Sequence, residues 1–251
     1  MVTDNRRIRY LGHFRNPSCT ERHHVAPAKL ALGTLLTTAV MATGLSAGAS
    51  PAAARTAAQP PVSARLTGLP LFKGSVKIKG QAQKTGYYCA PASSSIVLRM
   101  FGVKRSQDQL AKEMKTDPKA GATKRQNTLS VLNRHLKPKG YTFRLTYARN
   151  RPAALMLRVS HAVGVLKKPT ILAVLGNKLP WSKASRTYGH AIVAYGYDRA
   201  KGTITVWDPN VAKGALGSHV ISAKALAAVV NDRPDSGLGG VYTLSKPLLP
   251  R

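Results

Sequence analysis

Four side chains of the 251-residue sequence have the types and spacing for covalent chemistry: Gln83, Cys89, His190 and Asp208. Cys89 lies in Gln83-Lys84-Thr85-Gly86-Tyr87-Tyr88-Cys89-Ala90-Pro91-Ala92-Ser93, a polar stretch running into an apolar helix. A thiol at a helix mouth meets unpaired backbone N–H groups and the positive end of the macrodipole, which favour the thiolate. A cysteine nucleophile also needs a base, a group that orients the base, and donors aimed at an oxyanion. His190 fits the base and Asp208 the orienter. Gln83, six residues before the thiol, offers a side-chain amide to join the Cys89 backbone N–H as oxyanion donor. Each has a plainer role: a core thiol, a loop amide, and an aspartate before Pro209 forming a turn. His219 stands as the alternative base and Asn210 as the alternative orienter. His135 and His161 fall off the apolar stripes of their helices and are expected in solvent. No Cys/His cluster has zinc spacing and no glycine loop would cradle a phosphate, so neither metal nor cofactor is expected.

The elements that must position these groups follow from periodicity. Ala92, Ile96 and Met100 recur at helical spacing with Val97 and Phe101 beside them, Pro91 suits a first turn, and Gly102 stops the helix. Ser106-Gln107-Asp108-Gln109 is a capping box opening a helix to about Lys115. Asn127 is expected to cap a helix through Leu136, and Pro152 to open one reaching Leu166. Leu71–Lys79, Tyr141–Tyr147 and Thr170–Leu175 read as strands, Ser222–Val230 as a helix and Gly239–Leu244 as a final strand. Tyr188–Tyr197 and Thr203–Asp208 read as a hairpin closed near Ala200. Facing positions then sum to about 398–400. His190 and Asp208, both even, share a face, and a one-residue slip would separate them.

The N-terminus and the charge bound the rest. Residues 1–29 are polar and basic, Leu30–Ala54 carries no charge, and small-x-small sites end at Ala49 and Ala54. This reads as a signal peptide over 1–54, with a flexible Ala/Pro/Gln lead-in over 55–74 and one domain over 75–245. The expected location is therefore secreted or cell-wall associated, with no membrane span after cleavage. Cys19 leaves with the signal, so Cys89 is the lone thiol of the exported chain. The whole sequence has 39 Lys/Arg against 9 Asp/Glu; without the leader 33 and 7 remain, a net of +26. Such a field favours anionic cell-wall polymers, and no zinc-finger, helix-turn-helix or aromatic RNA-binding signature points to specific nucleic-acid recognition.

Gln83-x5-Cys89-Ala-Pro-Ala-Ser, Gly189-His190-Ala-Ile-Val-x-x-Gly-Tyr-Asp198 and Trp207-Asp208-Pro209 together resemble the C39-like family of papain-like cysteine peptidases. The resemblance spans about residues 75–245. It implies an α+β papain-like fold, with a nucleophile-bearing helix packed against an antiparallel sheet. It also implies a hydrolase with Cys89 as nucleophile, His190 as base, Asp208 as orienter and Gln83 as oxyanion donor, acting on a peptide or protein through a thioester. Ala90 departs from the pattern, which has glycine there. A non-catalytic cationic binding module, or an acyl transferase or amidase using the same residues, are the rival readings.

Overall fold

A computed structural model describes residues 72–212 and 214–246; the expected signal peptide and residues 55–71 of the lead-in lie outside them. Helix α1 (Cys89–Arg99) opens with the thiol, and α2 (Gln107–Glu113) and α3 (Arg125–Leu136) follow. Strand β1 (Lys73–Ser75) precedes them and β2 (Thr142–Thr146) comes after. Helix α4 (Pro152–Ser160) then leads to β3 (Thr170–Leu175), β4 (Gly189–Asp198), β5 (Thr203–Asp208) and β6 (Gly217–Ser222). Helix α5 (Ala223–Val229) and β7 (Val241–Ser245) complete the order.

The strands form one antiparallel sheet in the order β2-β7-β3-β4-β5-β6, with β1 pairing the far end of β4. The alternation of side chains gives the sheet two apolar faces. Ile192, Ala194, Ile204 and Val206 pack with α4 and α5 side chains such as Leu155, Val159 and Leu226. Ile171, Ala191, Val193 and Phe143 pack with Ile96, Val97, Leu132 and Leu136 from α1 and α3.

Helix α1 lies close to the sheet because its inner residues are small. Ser93, Ser94 and Ser95 are fully buried, and Ser93 Oγ donates to the Ala191 carbonyl at 3.0 Å. A buried hydroxyl is tolerated here because it finds a carbonyl. Gly102 takes the left-handed conformation (φ 73°) after the helix, as its place in the sequence predicts. Lys168 Nζ donates to the Met100 carbonyl at 2.6 Å, placing a cation where the helix dipole is negative.

Several expectations shift. The first strand is three residues long rather than running from Leu71 to Lys79. The capping box at Ser106 forms as read, but α3 is preceded by Lys124, which makes no side-chain cap. Asn127 lies inside α3 and its side-chain amide donates to the Met114 carbonyl instead. The helix from Pro152 ends at Ser160 and continues to Val165 as a wider π turn. His135 is not solvated: its Nε2 lies 2.7 Å from Glu113, which also pairs with Arg134 and Arg105. Helical periodicity could not show this pairing, because Glu113 belongs to another helix.

The hairpin holds the most consequential difference. Near its turn the partners are Asp198↔Thr203, Tyr197↔Ile204 and Gly196↔Thr205, an odd count that would put His190 and Asp208 on opposite faces. Between Ala194 and Gly196 the register shifts, leaving Tyr195 as the extra residue of a bulge. Beyond it the partners are Ala194↔Val206 and Val193↔Trp207, an even count. The two side chains return to one face, diagonal across the pair.

Candidate active site

Cys89 is the first residue of α1 and is half-buried. Its backbone N–H belongs to the first turn, where no intrahelical acceptor exists. Its side chain is within hydrogen-bonding reach of the His190 imidazole and of the Ala191 and Ala90 backbone N–H groups. Burial works against the thiolate. The His190 hydrogen bond and charge, with the two N–H groups, outweigh it and hold the thiol below its ordinary value of 9.0.

His190 is the second residue of β4 and is 5% exposed; Asp208 ends β5 and is 1% exposed. His190 Nε2 lies 2.7 Å from Asp208 Oδ1, which leaves Nδ1 as the ring nitrogen for the thiol. Burial disfavours the imidazolium, but hydrogen bonds and charge from Asp208 and Cys89 raise its pKa to about 10. Burial likewise disfavours the Asp208 carboxylate. The His190 hydrogen bond and charge, then the Trp181 and Asn210 N–H groups, hold it below the usual range. All three shifts favour the charged forms, and the three side chains stand in one row with the imidazole between the thiol and the carboxyl.

Two supports of that row were not legible in the sequence. Trp181 Nε1 donates to Asp208 Oδ2 at 2.8 Å, so both carboxylate oxygens are engaged. The His219 ring stacks on Trp181 with centroids 4.0 Å apart and planes 6° from parallel. The alternative base therefore stands behind the acid rather than beside the thiol, with its Nε2 2.7 Å from the Ala215 carbonyl. Asn210 does not replace Asp208; its backbone N–H donates to Oδ1 at 2.8 Å and its amide to the Tyr188 hydroxyl at 3.3 Å. A lone tryptophan in the polar loop Pro180–Thr187 was the available signal, and nothing local linked it to position 208.

Gln83 is 4% exposed. Its Nε2 donates to the Thr85 carbonyl at 2.7 Å, which identifies the nitrogen, since a carbonyl accepts only from a donor. That bond uses one of two amide hydrogens, and Oε1 is buried without a partner among the described residues. The Gln83 backbone N–H donates to the Pro209 carbonyl at 2.8 Å, tying the loop before the thiol to the residue after the acid. Ala90, where the resembled pattern has glycine, turns its methyl into the core cluster that holds Ala191 and Leu98. Among the described residues no group of three His, Cys, Asp or Glu side chains could hold a metal ion.

A thiol at the first turn of a helix, packed on an antiparallel sheet that carries a His–Asp pair, is the arrangement of a papain-like α+β peptidase fold. Residues 75–230 match the Peptidase_C39 like family, and the chain belongs to that family. Among solved structures it is similar to the peptidase domain of Streptococcus ComA, a bi-functional ABC transporter involved in a quorum sensing pathway. The identity is 18%, over 67% of this chain and 96% of that one, with a TM-score of 0.44. It is also similar to a double glycine motif protease from an AMS/PCAT transporter, solved in complex with the leader peptide: 16% identity over 68% and 91%, TM-score 0.43. No curated protein matches the chain.

Proposed function

We propose that the protein is a secreted cysteine peptidase that cleaves a peptide bond through a thioester. The Cys89 thiolate attacks the scissile carbonyl carbon, and the oxyanion is held by the Cys89 backbone N–H and the free hydrogen of the Gln83 amide. As the oxyanion collapses the C–N bond breaks, and the His190 imidazolium gives its proton to the leaving amine. His190 then takes a proton from water, which attacks the thioester and releases the acid and the thiolate. Asp208 keeps the imidazole in the orientation both proton transfers need.

The observation that carries this reading is the row of Cys89, His190 and Asp208, with the last two 2.7 Å apart and buried. It is tested by iodoacetamide alkylation with mass mapping between pH 5 and 10, beside cleavage of a random peptide library. The expected result is an alkylation inflection below 9.0 and cleavage that Cys89→Ser abolishes. Alkylation no faster at pH 7 than that of a free cysteine peptide, together with no cleavage, would overturn it. Export is checked separately: the N-terminus of the protein recovered from culture medium should lie after Ala49 or Ala54.

A second reading concerns the surface. Among the described residues ion pairs engage only Lys84, Arg105 and Arg134 of the Lys/Arg side chains. The remaining bases favour association with anionic cell-wall polymers, whether or not the thiol reacts. Pull-down on such polymers should weaken steeply between 50 and 500 mM salt, to the same degree in Cys89→Ser; salt-independent binding would exclude it.

A further inference from the structure

Helix α2 makes no hydrogen bond to Cys89, His190 or Asp208, yet its first residue grips the loop that carries Gln83. Gln107 Oε1 accepts from the Lys84 backbone N–H at 2.9 Å, and Gln107 Nε2 donates to the Ala82 carbonyl at 2.7 Å. The carbonyl of residue 82 and the N–H of residue 84 point to one edge of an extended chain, and the N–H of residue 83 points to the other. That other edge is held by Pro209. Gln83 is therefore the middle residue of a segment bonded on both sides, by a helix side chain and by the residue that follows the acid.

The grip is fixed in its turn. Gln107 is 5% exposed, and both of its amide atoms are spent on this loop. The capping box of Ser106 and Gln109 holds the first turn of α2, and Ser95 Oγ on α1 donates to the Arg105 carbonyl at 2.8 Å. Lys84 and Asp108 form an ion pair alongside. The helix bearing the thiol and the loop bearing the amide are thus set against each other through α2.

We infer that Gln107 is a positioning residue for the oxyanion site: it fixes the backbone of Gln83, and so the aim of the Gln83 amide, relative to Cys89. This rests on the peptidase reading, and the test separates the two. Iodoacetamide alkylation displaces iodide at a saturated carbon, forms no oxyanion and reads the Cys89–His190 pair alone. Acylation by p-nitrophenyl acetate passes through an oxyanion: the thiolate adds to the carbonyl, the C–S bond forms, and p-nitrophenolate leaves with the electron pair. Gln107→Met keeps the volume and removes both hydrogen bonds. It is expected to slow acylation of the full chain by about 10- to 100-fold, as a misaimed oxyanion donor does. Its iodoacetamide rate and the inflection of its pH profile should stay within about twofold of the parent.

In a Gln83→Ala background Gln107→Met should have no further effect on acylation, since it acts through that amide. Gln107→Glu, which can accept from Lys84 but cannot donate to Ala82, should fall between parent and Gln107→Met. Unchanged acylation in Gln107→Met, an equal fall in acylation and alkylation, or additive losses with Gln83→Ala would each overturn the inference. Slow alkylation of the parent would instead count against the peptidase reading itself. Should Gln107→Met fail to fold, Gln107→Glu with the Gln83→Ala cycle carries the same decision.

Discussion

At the scale of residues, the row from Cys89 to Asp208 works only as a unit, and its parts make separable predictions. Asp208→Asn keeps the shape but removes the charge that raises His190. The alkylation inflection of Cys89 should therefore move up toward 9.0, and peptide cleavage should fall by at least about 100-fold. Trp181→Phe removes one hydrogen bond to a buried carboxylate, an interaction of about 1.5–3 kcal/mol. Its expected result is a loss of about tenfold in kcat with KM unchanged; a change in KM alone would assign Trp181 to substrate contact. Cys89, His190, Asp208 and Gln83 were legible in sequence because each sits at a fixed offset in a patterned element. Trp181 and Gln107 were not, because what matters about them is a partner 27 or 23–25 residues away with no periodic relation to it.

At the scale of elements, α1, α2, β3, β5 and the hairpin were readable, since capping, alternation and apolar runs act within a few residues. What stayed hidden was whatever one element settles for another. Glu113 draws in His135 across two helices, and Asn127 satisfies the end of α2 rather than the start of its own helix. Asp232 is the clearest instance: its carboxylate accepts from Ala148 and Arg149 N–H through Oδ2 and from Gly240 N–H through Oδ1. Asp232→Ala strands three backbone donors, and should cost about 3 kcal/mol in urea unfolding. The activity of whatever remains folded should be preserved, because Asp232 makes its hydrogen bonds to Ala148, Arg149 and Gly240 and none to Cys89, His190 or Asp208. Tyr195 makes a less obvious prediction. Deleting it lets the pairs on either side of the bulge form in direct succession, with the same faces. Alkylation of Cys89 should therefore stay within about threefold of the parent, whereas a register that truly slips would turn His190 away.

At the scale of the whole molecule, linked ionisation sets the working range. His190 has its pKa raised from 6.5 to about 10 in the fold. Its contribution to stability is complete below 6.5 and is lost as pH rises through about 10. Asp208 and Glu113 are lowered from 3.8 and 4.5, so theirs is present above those values and is lost as pH falls through the lower folded ones. The Tm should therefore form a plateau about neutrality with an acid and an alkaline limb, and His190→Ala should flatten the alkaline one. The hairpin, finally, is numbered one way at its tip and another way at its chemistry, and Tyr195 absorbs the difference. The end that carries His190 and Asp208 is thereby insulated from how the tip is built. An epitope or a dye-bearing loop spliced into Arg199–Gly202 would leave the thiol row undisturbed, which makes that corner the natural handle for watching this protein at work.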